Sequence, residues 1–401
     1  MDDQANFEST GVHGQTPRWS LAQAVSSGLS LAALWALPLL NVAPNRLVSG
    51  QPVYFSSLLQ GPAWGIAGLL AGLLGLALVR PSPWVLRATL AASTLLIPCL
   101  VWLAAIQASQ PAQSQSAFAR SALGGGFWLA CLLLGLAAMD ALQRLRAGPW
   151  LRLSALLVVV LPVGTMLASG VCDELSIMKE YANRPDVFAE AITRHLQIVG
   201  VALGATLALG LPLGWAAHRY ARWGQSLFPV LNLVQTIPSI ALFGLLMAPL
   251  ALLAATWPLL ARAGISGVGL APAVMALTLY SLLPVVRGTL AGLAQVPSGV
   301  LQAATGMGLS RWQRFWQVEA PLALPVVLGG VRTATIQAIG LAGVTALIGT
   351  GGLGAIMFEG LFSSAQDLVL LGVVPMVAMG VLADAFFKLL MAKLVMAHRP
   401  A

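Results

Sequence analysis

Long apolar runs, parted by short polar stretches, fill almost the whole of this 401-residue chain. A helix needs about 20 apolar residues to cross the hydrocarbon layer of a membrane. Ten runs meet that criterion: residues 21–40, 61–79, 84–106, 121–139, 151–170, 196–216, 227–255, 267–285, 322–345 and 367–390. The pattern predicts an all-α polytopic membrane protein with about ten transmembrane helices. The run 227–255 is long and contains Pro229, Pro238 and Pro249, so a kink or a tilt is expected within it.

Composition agrees with the pattern. Only 8% of residues are charged and 58% are hydrophobic, where a soluble domain carries about a quarter charged. The formal charge of +8 fits loops facing anionic lipid and, without a basic patch interleaved with aromatics, does not point to nucleic acid. With the N-terminus inside, fourteen of the 21 basic residues fall on the cytoplasmic side and six outside, while Arg332 lies within a span. Among the fourteen are Arg18, Arg287, Arg311, Arg314 and Arg399; Arg46 is among the six. Both termini are then cytoplasmic. The polar, acidic first residues lack the basic start of a cleaved signal, so the first span is expected to be retained.

One stretch breaks the apolar pattern, LQAATGMGLSRWQRFWQVEAPLALP at 301–325. Pro297 ends the preceding segment and Ser298 is expected to cap a short helix, which Gly306 and Gly308 then weaken. Ser310 followed by Gln313 predicts a capping box and a new helix. On that helix Trp312, Phe315 and Trp316 share an apolar side and Arg311 and Arg314 stand three apart. The expected product is two short helices around a glycine break, lying at the membrane surface, with Pro321 and Pro325 bracketing entry to the next span. Two readings stand: an interfacial loop anchored by its aromatics, or a knob for a cytoplasmic protein, its arginines meeting a negative partner.

This stretch resembles the coupling motif of ABC importer permeases, which runs Glu-Ala-Ala, three residues, Gly, nine residues, then Ile-x-Leu-Pro. Gln302, Ala303 and Ala304 stand at the opening, Gly308 at the motif glycine, and Val318, Glu319, Ala320 and Pro321 at the close. Gln302 replaces the acidic opening residue and Ala320 the leucine. QTIPSIALFGLL at 235–246, LTLYSLLPVVRGTLAGL at 277–293 and VRTATIQAIGLAGVTALIGTGGLG at 331–354 narrow the resemblance to permeases of glycine betaine, choline and carnitine importers. It covers about residues 190–390. The resemblance implies that Gln302, Ala303, Ala304, Gly308, Arg311, Arg314, Glu319 and Pro321 couple the spans to an ATP-binding subunit. It also implies an extracytoplasmic solute-binding protein, a second permease copy or a paralogue, and residence in the bacterial inner membrane. The implied organisation is a tail at 1–20, additional spans at 21–170, an extracytoplasmic loop at 171–195, a five-helix core at 196–390 with its coupling segment at 298–321, and a tail at 391–401.

Other polar features are few. GTGGLG at 349–354 is not a nucleotide loop, since no lysine follows and no strand precedes it. Gly349, Gly351, Gly352 and Gly354 form either an outer gate or a simple flexible connector. Arg332 either snorkels to the interface or steadies a gate or a partner contact. Asp140 and Asp384 read as hydrated groups near helix ends, and 172–195 as a solvated connector or a docking surface. An aromatic cage would suit a quaternary ammonium, but Trp223, Phe228, Phe243, Trp257 and Tyr280 show no convergent spacing. No catalytic or metal-binding constellation appears: the four histidines, His13, His195, His218 and His398, are scattered over termini and loops, and Cys99, Cys131 and Cys172 form no CxxC pair. The chain is expected to need no cofactor, ATP being bound by the partner subunit. The alternatives are an ABC permease for another small solute, and further off a secondary transporter or channel.

Overall fold

The computed structural model describes residues 21–397, apart from 46, 47, 49, 62, 111–118 and 263. Arg18, Arg46, Arg399, His13 and His398, with the expectations attached to them, lie outside the described residues. The chain divides into two compact units, residues 1–176 and 177–401.

The first unit holds helices α1 (Leu21–Ala36), α2 (Ala63–Leu78), α3 (Pro83–Ala108), α4 (Gly125–Arg144) and α5 (Pro149–Ala168), and strands β1 (Pro38–Ala43), β2 (Gln51–Tyr54) and β3 (Arg120–Leu123). Leu34, Leu70, Leu100 and Leu134 centre its core, drawing together α1 to α4. The strands form an antiparallel sheet in the order β2-β1-β3. The sheet is a small, unforeseen addition to an otherwise all-α polytopic fold. The run 21–40 divides at Pro38, where an extended segment begins, and residues 121–123 of the fourth predicted span are strand. A short apolar run reads alike as helix or buried strand, and β1 is such a run: Leu39 and Leu40 are fully buried. The glycines after β3 permit the join. A Cβ on Gly124 would lie 2.1 Å from the Pro38 carbonyl oxygen.

The second unit holds α6 (Ser176–Asn183), α7 (Pro185–Arg219), α8 (Ala221–Thr236), α9 (Ser239–Thr256), α10 (Pro258–Arg262), α11 (Leu270–Ala294), α12 (Ser298–Gly306), α13 (Arg311–Arg314), α14 (Ala320–Val344), α15 (Leu353–Phe362) and α16 (Gln366–Ala397). Helix α11 lies at its centre, packed against α7 and α14, and α14 also packs on α16. Small residues make the closest crossing: a Cβ on Gly288 of α11 would sit 2.9 Å from the Gly330 Cα of α14.

Among the described residues eight helices are long and apolar enough to cross a membrane: α3, α4, α5, α7, α9, α11, the rod Arg311–Ile348 that contains α14, and α16. Helices α1 and α2 have 16 residues each, about 24 Å, less than a hydrocarbon layer of about 30 Å. The expectation of about ten spans is corrected to that extent. The long run 227–255 is not one bent helix but two. Ile237 precedes Pro238 and takes an extended conformation, and Tyr280 of α11 clamps the break by donating its hydroxyl to the Ile237 carbonyl. Gln235 donates to the Tyr280 carbonyl at 2.9 Å.

Candidate functional site

The polar insert lies between α11 and α14. Its first helix, α12, is capped at Pro297, so Ser298 is the first helical residue rather than the cap. Helix α12 ends in a Schellman-type turn. Gly308 takes a φ of +80°, and the N–H of Leu309 reaches back to the Ala304 carbonyl at 3.2 Å. Nothing lies within 4 Å of a Cβ built on Gly308, so its backbone conformation, not crowding, asks for glycine. Ser310 and Gln313 form the expected capping box, with bonds of 3.3 and 2.9 Å.

The second half of the insert departs from expectation. Helix α13 is not a separate surface helix but runs through a π turn at Phe315–Glu319 directly into α14. Pro321 has no N–H and its ring crowds the carbonyl four residues back, and the wider turn makes room for it. In that turn Ala320 donates instead to Phe315. The two arginines also part company. Arg314 is a brace: it bonds Glu319 at 2.8 Å and Thr305 at 3.3 Å, tying α12 to the rod. Arg311 is exposed. Trp312, Phe315 and Trp316 pack ring against ring with centroids 5.1–6.3 Å apart, yet Trp312 stays 70% and Met307 73% exposed. Gln302 and Ala303 are exposed and Ala304 is buried. A hollow of about 330 Å³ opens among Leu301, Gln302, Thr305, Gly306 and Arg314.

At the far end of α14 the glycine segment is held, not loose. Gly349, Gly351 and Gly352 all take φ near +80°. Arg194 of α7 donates to the Thr350 carbonyl at 3.0 Å, and the hydroxyls of Thr345 and Thr350 bond at 2.8 Å. A Cβ on Gly354 would fall 1.9 Å from the Gly343 carbonyl oxygen. A flexible connector does not fit these bonds and contacts. His195, expected in a loop, is fully buried in α7 beside Gly352, its Nε2 3.1 Å from the Ile339 carbonyl oxygen. The signal for this was present: Ile198, Val199, Ala202 and Thr206 follow it at helical spacing and are buried as well.

Between the two ends, Arg332 does not snorkel. It pairs with Asp384 of α16, which also bonds Lys388 at 2.6 Å. Asp384 is therefore an ion-pair partner rather than a merely hydrated end group. Asp140 pairs with Arg144 at 2.8 Å. Arg287, expected just beyond its span, lies inside α11, which runs on to Ala294. Phe243 and Tyr280 are buried core groups, while Trp223 and Trp257 are exposed at helix ends, so the five aromatics form no cage. Residues 172–195, expected as an outer connector or docking surface, are mostly helix: α6 and the first turns of α7, tied to α15 by an Arg184–Glu359 bond of 2.8 Å. Burial and the adjacent Asp173 push the Cys172 thiol above its ordinary range, which suits an inert cysteine.

Comparison with known proteins supplies the class. Residues 203–395 match the family described as binding-protein-dependent transport system inner membrane component. Residues 20–178 match the N-terminal domain of the ABC transporter permease YehY. With its long apolar helices the chain is thus a multi-pass permease of the bacterial inner membrane. The osmoprotectant import permease OsmW of Salmonella typhimurium is 38% identical over 191 residues, 48% of this chain and 84% of that protein. The glycine betaine/carnitine/choline permease OpuCB of Bacillus subtilis is 36% identical over 47% of this chain and 79% of its own. This chain belongs to the osmoprotectant-uptake family of ABC-importer permeases. Such permeases are not themselves catalytic; a separate subunit hydrolyses ATP, and membership implies a cognate ATPase and solute-binding protein. Among solved structures, a chain of the inward-facing MetNI methionine transporter is similar at 20% identity and a TM-score of 0.45, over 52% of this chain and 96% of that one.

Proposed function

We propose that this permease imports glycine betaine or a related quaternary amine, driven by an ATP-binding subunit that docks on the insert 298–321. The observation that carries the coupling role is the braced insert. Exposed Gln302, Ala303, Met307, Arg311 and Trp312 stand on a frame held by the Gly308 turn, the capping box and the Arg314–Glu319 bond. Because α13 continues into α14, a push on the insert is delivered along one rod, about 57 Å for the 38 residues Arg311–Ile348.

In this reading two permeases, copies or paralogues, face each other around the solute path. Residues 196–390 form the core, and residues 21–170 contribute the additional spans α3, α4 and α5. ATP binding draws the ATPase subunits and both inserts together and turns the cavity outward; hydrolysis returns it inward. The segment with Gly349, Gly351, Gly352 and Gly354 closes the outer end, where an extracytoplasmic binding protein delivers solute. Gln302 lacks the charge of the motif's glutamate but keeps its hydrogen-bonding capacity.

The test is uptake by vesicles containing this chain, its ATPase and its binding protein, with labelled glycine betaine, choline and proline betaine. Accumulation that needs both ATP and the binding protein is expected. Movement only down a gradient, without either, would replace the reading with a channel or carrier. ATP-driven uptake of none of the three would point to another small solute.

A further inference from the structure

Two arginines lie in the spans around α11 and α14, and their surroundings differ. The charge of Arg332 is met by Asp384. Arg287 bonds only the neutral side chain of Asn232, at 2.8 Å, and among the described residues it contacts no carboxylate. It sits seven residues before the end of α11, about 10 Å along the helix axis. An arginine without a counter-charge inside a span is costly against lipid, which favours a face turned to water or solute over one turned to lipid.

The space in front of it has a definite chemistry. A cavity of about 490 Å³ is lined by Gln235, Arg287, Thr333 and Gln337, and otherwise by glycine, alanine, leucine and proline. It contains no acidic residue and no aromatic face. A quaternary ammonium therefore finds neither a counter-charge nor a cation–π surface here. A carboxylate finds a guanidinium with N–H groups beyond the one given to Asn232, in the fork geometry that pairs with two oxygens.

We propose that Arg287 selects solutes by charge: it receives the carboxylate of a zwitterionic betaine and disfavours a trimethylammonium cation that lacks one. Asn232 positions the guanidinium. The proposal rests on the permease reading above, and one experiment separates the two. Vesicles with the complete complex are given labelled glycine betaine and choline, and the ratio of their ATP-driven uptake efficiencies is compared between the unsubstituted complex and Arg287→Gln. The ratio is expected to fall about tenfold in the variant, the size of a lost charge-assisted hydrogen bond. Asn232→Asp gives a second route, because it neutralises Arg287 without removing it, and the same fall is expected. Arg287→Lys, which keeps the charge, should retain more of the preference than Arg287→Gln. Equal losses for both solutes, with the ratio unchanged in Arg287→Gln and Asn232→Asp, would overturn the proposal and leave the permease reading intact. Uptake of neither solute by the unsubstituted complex would overturn the osmoprotectant reading and this proposal with it.

Discussion

The two ends of the rod Arg311–Ile348 are both shaped by left-handed glycines, yet they are built in opposite ways. At the insert end, Gly308 has open space around it and the shape is kept by polar bonds at the surface. At the glycine end, Gly354 and Gly343 touch backbone to backbone and the flanking threonines are buried. The difference teaches what each end is free to do. A frame that keeps its own shape while leaving Met307, Trp312 and Trp316 uncovered is suited to meet another protein. A seam closed by backbone contact is suited to hold the turn between α14 and α15 in one shape.

Substitution at the tight seam should have the largest effect on stability. Gly354→Ala puts a methyl where the Gly343 carbonyl already is, and such overpacking typically costs about 1–3 kcal/mol and sometimes more. Its thermal midpoint in detergent should fall well below that of Gly308→Ala, which meets no neighbour and bears only the left-handed backbone penalty of about 1–2 kcal/mol. Equal midpoints would erase the contrast between the two ends. Ser310→Ala removes one arm of the capping box and should lower stability by about 1 kcal/mol, seen as faster amide exchange at Gln313 with the glycine end unchanged. Arg314→Ala frees Glu319 and Thr305 from a part-exposed bond, for a loss below about 1 kcal/mol, and the faster exchange should be confined to α12 and the π turn. Arg311→Ala should leave the thermal midpoint where it is and weaken assembly with the ATPase, as pull-down from detergent would report.

Much of this was legible in the sequence where the signal is local. Long apolar runs mark the spans, Ser310 and Gln313 stand at capping-box spacing, and clustered glycines mark both ends of the rod. What was hidden depends on partners far along the chain. Strand β1 pairs with residues that close only after 51–54 and 120–123 are brought to it. Arg332 could not be matched to Asp384, 52 residues on, because a salt bridge between two helices leaves no periodic trace in either. Pro238 was visible, but a bend and a break are told apart only by the Tyr280 clamp. The run of Arg311 into α14 was concealed by Pro321, a residue that ordinarily stops or kinks a helix and here is absorbed by a π turn.

The central claim is that the insert couples the spans to ATP hydrolysis, and Gly308→Leu tests it most directly. The variant and the unsubstituted chain would each be assembled with ATPase and binding protein in vesicles, and ATP turnover measured with and without solute-loaded binding protein. The account predicts that loaded binding protein stimulates turnover in the unsubstituted complex and no longer does so in the assembled variant. Full stimulation and full uptake in the Gly308→Leu complex would contradict it.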